Sequence, residues 1–206
     1  MIRKPNESER FDCLQLLYQS GPHMFRYFFN CHEPAIYDIL SIFFDKPHVL
    51  FSRDNMLVKV KDDQVCGLLL CAEMKDLKLL DKNMGRYASE MIQVFGFFGI
   101  ITLLFRSRLQ RYIQGLEEID EFYISNLAVF EAYQNQGIGK ELLKQAEDLA
   151  KSKGYQKLSL LVETYNHHAK HIYELFGFKE TSHVLFSKRY HKYGIEGYYK
   201  MVKRLA

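Results

Sequence analysis

The chemistry of this sequence is concentrated in Gln134-Asn135-Gln136-Gly137-Ile138-Gly139-Lys140. Gly137 and Gly139 carry no Cβ, so the main chain there can come close to a ligand. Where such a run opens a helix, the first N–H groups have no partner and the macrodipole favours negative charge. The run therefore reads as a phosphate cradle. It is not a Walker loop, because position 134 is Gln and Glu141 follows Lys140. Nor is it a dinucleotide fingerprint, whose third glycine would fall on Leu142. What remains is the pattern Gln-x-x-Gly-x-Gly.

The elements that must position this run are legible on both sides. Phe122-Tyr123-Ile124-Ser125-Asn126-Leu127-Ala128-Val129 is rich in β-branched and aromatic residues and reads as a strand. Ile138, Leu142, Leu143, Ala146, Leu149 and Ala150 recur at helical spacing, with Lys151, Lys153 and Gly154 marking the end. Lys157–Glu163 reads as a second strand. Asn166 as N-cap and Gly177 as the residue past the C-cap then bound a short helix.

Here the chain resembles the GNAT superfamily of acyl-CoA-dependent N-acyltransferases. Gln134-x-x-Gly137-x-Gly139 after Leu127-Ala128-Val129 is similar to that superfamily's motif A. Asn166-x-x-Ala169-x-x-x-Tyr173-x-x-x-Gly177-Phe178 is similar to its motif B. The resemblance implies an α/β fold, a mixed and mainly antiparallel sheet with flanking helices. It implies one N-acetyltransferase domain over 1–206, with the acyl-CoA-binding core at 121–178 and a helical, apolar insertion at 75–118. It also implies acetyl-CoA as donor, held by the backbone of Leu127 and Val129, by Gln134, Gln136, Gly137, Ile138, Gly139 and Lys140, and by Asn166. Gln134 stands where the family more often has arginine, which keeps a donor and removes a charge. Tyr173 matches the usual general acid, which protonates the departing coenzyme A thiolate.

The general base is less apparent. An amine attacks a thioester as the neutral species, and a lysine-like amine of pKa about 10.4 is roughly 4.6 kcal/mol from neutrality at pH 7. An α-amine of pKa about 7.8 faces only about 1 kcal/mol. In a regular strand Glu121, Tyr123 and Ser125 share one face, and Glu121 is the candidate base, with His191 behind it. A solvated surface carboxylate is the competing reading of Glu121. His167 and His171 sit at i, i+4 on one helical face, but neither a His-Glu-x-x-His pattern nor a third ligand accompanies them. No metal is expected.

The 206 residues are 48% apolar with a net charge of +3, which fits one globular domain and argues against a nucleic-acid partner. Cys13, Cys31, Cys66 and Cys71 lack metal spacing, and Met1-Ile2-Arg3-Lys4-Pro5 does not read as a signal peptide. A soluble, cytoplasmic protein with reduced thiols is expected. Before the core come a short strand, three helical pieces and a hairpin about Asp62-Asp63-Gln64. Met91–Phe105 is almost wholly apolar and is followed by Arg106, Arg108 and Arg111. As a helix it spans about 22 Å, short of the roughly 30 Å hydrocarbon core, so a transmembrane span is not expected. It reads as a buried helix or as a face for a second copy across 91–111; a cover over the substrate pocket and an interfacial membrane helix remain open.

The function implied is acetyl transfer from acetyl-CoA to a primary amine, on a small molecule or peptide, by direct attack in a ternary complex. The alternative is a catalytically silent module of the same fold that binds acyl-CoA or a partner.

Overall fold

The computed structural model describes residues 1–114 and 118–205. Its strands are β1 (Ile2–Arg3), β2 (Met56–Lys61), β3 (Gln64–Glu73), β4 (Phe122–Val129), β5 (Lys157–Glu163), β6 (Lys179–Leu185) and β7 (Gly197–Arg204). The helices are α1 (Arg10–Gln19), α2 (Pro22–Phe29), α3 (Glu33–Phe44), α4 (Met74–Met84), α5 (Ala88–Gln114), α6 (Ile138–Ser152) and α7 (His167–Leu175). The strands form one sheet in the order β1-β2-β3-β4-β5-β7-β6. Every neighbouring pair is antiparallel except β4 and β5. The expected mixed, mainly antiparallel sheet with flanking helices is present. Asp62 and Asp63, both with positive φ (50° and 59°), make the tight β2–β3 hairpin turn.

Two apolar layers sandwich the sheet. One packs α1 and α3 on it through residues such as Leu16, Leu17, Ile39 and Phe43. The other packs α6 through Ile138, Leu142, Leu143 and Ala146. Strand β4 serves both layers, and not by simple alternation. Leu70 of β3 pairs with Asn126 and Cys71 with Ile124, so Ser125 is an extra residue, a β-bulge. Before the bulge Phe122 and Ile124 face α6 and Tyr123 the other layer; after it, Leu127 and Val129 face α6 and Ala128 the other layer. The phase of the strand flips at Ser125. The face-sharing expected of a regular strand therefore ends there.

The β4–β5 pairing is short. Phe122 pairs with Leu158, Tyr123 with Ser159 and Ile124 with Leu160, and then the strands part. Beneath this junction Glu121 is 1% exposed and Lys200 on β7 is 3% exposed, and their charged groups meet at 2.8 Å. Glu121 also accepts from the Glu118 N–H, while its main-chain carbonyl accepts from the Met74 N–H.

The insertion departs from one 91–105 helix. Gly96, at φ 71° and ψ 172°, breaks α5 in a region that is essentially closed to other residues. Met91 and Leu109 are buried, whereas Ile92, Phe97, Phe98, Leu104 and Phe105 are exposed. The segment is thus not a wholly buried helix. No helix among the described residues is long and apolar enough to cross a membrane. Positions 115–117 of the expected insertion lie outside the described residues, as do the side chains of Arg108 and Arg111.

Replacing Lys200 by Met strands a buried carboxylate and should lower the unfolding free energy by about 3–5 kcal/mol. The urea midpoint reads this directly. Adding Glu121→Leu should recover most of the loss, and a Lys200→Met single variant as stable as the parent would contradict a structural role for the pair.

Candidate active site

Parting of β4 from β5 opens a cleft of about 1570 Å³ across the carboxyl ends of both strands. A pocket for one small ligand is usually about 300–1,000 Å³, so this cleft has room for two reactants. One half runs from the start of α6 past α7; the other lies under α2, α4 and α5.

The cradle forms the first half. Asn135 and Gly137 both take left-handed backbone (φ 59° and 81°), which turns the chain sharply into α6. No side chain caps the helix, so its first N–H groups are left for an anion. A Cβ built at Gly137 or Gly139 would meet nothing within 4 Å. The space beside these glycines is therefore not filled by the protein's own packing, and a ligand can come up to the main chain. Ile138 between them is buried and pins the loop to the sheet. Gln134 Nε2 donates to the Val129 carbonyl at 3.1 Å, and Lys140 is exposed. The Gln136 side chain instead accepts from Lys61 at 2.8 Å and donates to the Ala132 carbonyl at 3.1 Å.

The second wall comes from α7. Asn166 Oδ1 accepts from the Ala169 N–H at 3.1 Å, so Asn166 is the N-cap the sequence predicts. The N–H groups of Gly177 and Phe178 return to the carbonyls of Glu174 and Tyr173 and close the helix. Between these ends Tyr173 lines the cleft, its ring packed edge-on against Phe178 with centroids 5.9 Å apart. Among the described residues its hydroxyl has no hydrogen-bond partner. Burial pushes the phenol up to about 12.

A residue that sequence reasoning missed is Glu163, the last residue of β5, on the same cleft. Its carboxylate accepts from the Tyr165 hydroxyl and makes a longer contact, 3.5 Å, with that of Tyr198. Burial raises its pKa above the ordinary value, against the opposing effect of these hydroxyls and of His23. Tyr165 in turn meets the His23 ring edge-on at 5.5 Å. The available signal was a carboxylate ending the apolar run Leu158-Ser159-Leu160-Leu161-Val162, since ligands of α/β sheets gather at the carboxyl ends of strands. Asn126 is a second omission. It donates to Ser20 Oγ at 2.7 Å and accepts from Ser125 Oγ at 2.8 Å, which fixes a polar floor where the strands part.

The structure brings Leu127, Val129, Gln134, Gly137, Ile138, Gly139, Lys140, Asn166 and Tyr173 to one cleft. It does not bring Glu121 there, because that carboxylate is committed to Lys200 beneath the sheet. His191 is also elsewhere: it is exposed, with Nε2 3.3 Å from the Phe186 carbonyl. Among the described residues no three His, Cys, Asp or Glu side chains are placed to hold a metal ion.

Comparison with known proteins fits this geometry. The sequence model of the acetyltransferase (GNAT) family matches residues 23–178. The chain is 37% identical over 68 residues to the uncharacterized N-acetyltransferase YycN of Bacillus subtilis, covering 33% of this chain and 44% of that one. It is 37% identical over 59 residues to a putative ribosomal protein bS18-alanine N-acetyltransferase of Bacillus subtilis, covering 29% and 39%. The chain thus spans less than half the length of these curated relatives. It superposes on an N-acetyltransferase from Staphylococcus aureus Mu50 with a TM-score of 0.70 and 19% identity, over 98% of this chain and 99% of that one. A second crystal structure, described as an acetyltransferase, gives a TM-score of 0.68 and 21% identity over the full length of both. At these identities the structural matches establish the fold.

The raised Glu163 pKa has a consequence for stability. Between the unfolded value near 4.3 and the higher folded value, the native state binds more protons than the unfolded one, so stability falls as pH rises through that window. Glu163→Gln should remove this component. Its urea midpoint should gain on the parent's as pH rises from about 4.3 and stay level above the folded pKa; a constant difference would show that the carboxyl is not perturbed.

Proposed function

We propose, from the premise that the chain belongs to the acetyltransferase (GNAT) family, that it transfers an acetyl group from acetyl-CoA to a primary amine by direct attack in a ternary complex. The observation that carries this is the meeting, on one cleft, of the anion cradle of α6, the open edges of β4 and β5, Tyr173 and Glu163. In this reading the N–H groups of residues 137–140 hold the pyrophosphate of the donor. The backbone of Leu127 and Val129 pairs with the pantetheine arm, because β5 no longer occupies that edge. Bound this way, the donor supplies an activated acyl carbon at the polar floor of Asn126.

Tyr173 faces the departing sulfur. With its pKa at about 12 and a thiol near 8.5, full proton transfer before the C–S bond breaks is roughly 5 kcal/mol uphill. Tyr173 therefore acts by a hydrogen bond that tightens as charge develops on sulfur. Glu163 sits across the parted strands and takes the proton that the amine nitrogen loses as the C–N bond forms. Burial makes it a stronger base than a solvated carboxylate. A silent binding module would need neither group, and their placement on the same cleft favours turnover.

Thiol release from acetyl-CoA with a panel of primary amines tests the proposal. Tyr173→Phe should lower kcat by about 100-fold with the coenzyme A Kd unchanged. Glu163→Gln should lower kcat/KM by about 100-fold and abolish an acidic limb lying above the usual carboxylate range, since activity rises as Glu163 ionises. Full turnover in both variants would refute these roles.

A further inference from the structure

The half of the cleft beyond Asn126 and Glu163 has a chemistry of its own. Its walls are Phe25 and Phe28 of α2, Met84 and Met91 of the insertion, and Ile101 and Leu103 beyond the Gly96 break. The lysines on this half, Lys78 and Lys82, are exposed and lie at its rim, where water solvates them. The second part of α5 is fastened over the chamber. Leu109 is buried against the cluster of Tyr27, Val184, Phe186, Ile195 and Tyr198. Arg106 donates to the Tyr27 carbonyl and stacks on the rings of Tyr27 and Tyr193 at 4.8 and 5.4 Å. Leu104 and Phe105 line the cleft while remaining 64% and 63% exposed, which gives the chamber an apolar mouth.

This is a poor site for a strongly polar acceptor. A carboxylate on the acceptor would find no interior cation among the described lining residues of this half, and burying it unpaired is costly. Two carboxylates line the cleft, half-buried Asp81 on α4 between the rim lysines and Glu163 at the reaction side, and the second is the one that lies where the strands part. We infer, building on the acetyl-transfer proposal, that the acceptor is a primary amine on an extended alkyl or arylalkyl body. Its neutral amine end donates an N–H to Glu163 and its apolar body fills the chamber under α2 and α5. The insertion is then the specificity element, and the break at Gly96 is what lets it turn back over the cleft. The same apolar chamber could instead take a longer acyl chain from the donor, so the test separates the two.

The experiment is a homologous series from ethylamine to octylamine with acetyl-CoA, along which the basicity of the amine hardly changes. Burial of each added methylene should raise kcat/KM by about fourfold until the chamber is full. A flat or falling series, with other amines such as peptide N-termini or polyamines turned over, overturns this inference and leaves acetyl transfer standing. A parallel series runs from acetyl- to octanoyl-CoA with ethylamine fixed; chain-length gain there but not among the amines also overturns it, by giving the chamber to the acyl chain. Calorimetric binding of octylamine against ethylamine to the coenzyme A-loaded protein needs no turnover. Tighter octylamine binding without turnover would sustain the chamber and sink acetyl transfer; equal binding would overturn the chamber. Leu103→Trp should cut the octylamine-to-ethylamine ratio of kcat/KM at least about tenfold by filling space. Ile101→Gln, at a half-buried position, asks the same question should the Trp variant not fold, and an unchanged ratio contradicts the assignment.

Discussion

Two neighbouring strands that stop pairing leave main-chain donors and acceptors in need of partners, and this constraint governs the molecule. A buried N–H or C=O left unpaired costs about 1–3 kcal/mol, so the opened edges of β4 and β5 must be met by water or by a ligand with amides of its own. The separation is built in from below and from within. The Glu121–Lys200 pair lies at the start of β4, where it still pairs with β5, and the bulge at Ser125 rotates β4 immediately after the last paired residue, Ile124. On the far side lie the uncapped start of α6 and the Tyr173 phenol; on the near side lie the polar floor and the apolar chamber, where the proposed second reactant would sit. The proposed ternary complex needs room for two molecules, and a cleft of about 1570 Å³ provides it.

Burial acts, with opposite chemical results, on the two side chains proposed to react. It raises Glu163, which makes that carboxylate the better proton acceptor. It raises Tyr173 as well, which makes the phenol a poorer acid and keeps it a hydrogen-bond donor throughout the working range of pH. In the proposed reaction the division of labour is a base that takes a proton and a donor that only polarises. Tyr165 and Tyr198, themselves pushed up by burial, stay protonated and steady the Glu163 carboxylate between them.

What was legible in the sequence was what is decided locally. The glycine turn that opens α6, the ends of α6 and α7, the Asp62-Asp63 hairpin and the order of the strands along the chain all rest on neighbours in the sequence. The bulge was not legible, because Ser125 is extra only relative to β3, and a strand read alone looks regular. Glu121 reads from sequence as a candidate base or a solvated carboxylate at the head of a strand, since its partner Lys200 comes from the far end of the chain. Glu163 was overlooked because its place on the cleft depends on where β5 leaves β4. The apolar insertion was legible as a helix and not as a wall; its break rests on a Gly96 conformation that composition does not announce.

The most direct test of the central claim is amide hydrogen exchange, residue by residue, with and without acetyl-CoA. If the parted strands and the cradle hold the donor, amides within 126–129 and 137–140 should slow markedly on addition, while those at the β4–β5 junction below, already paired, should change little. Unchanged exchange at both segments under saturating acetyl-CoA would mean that the donor does not bind there, and the account of the cleft would fail.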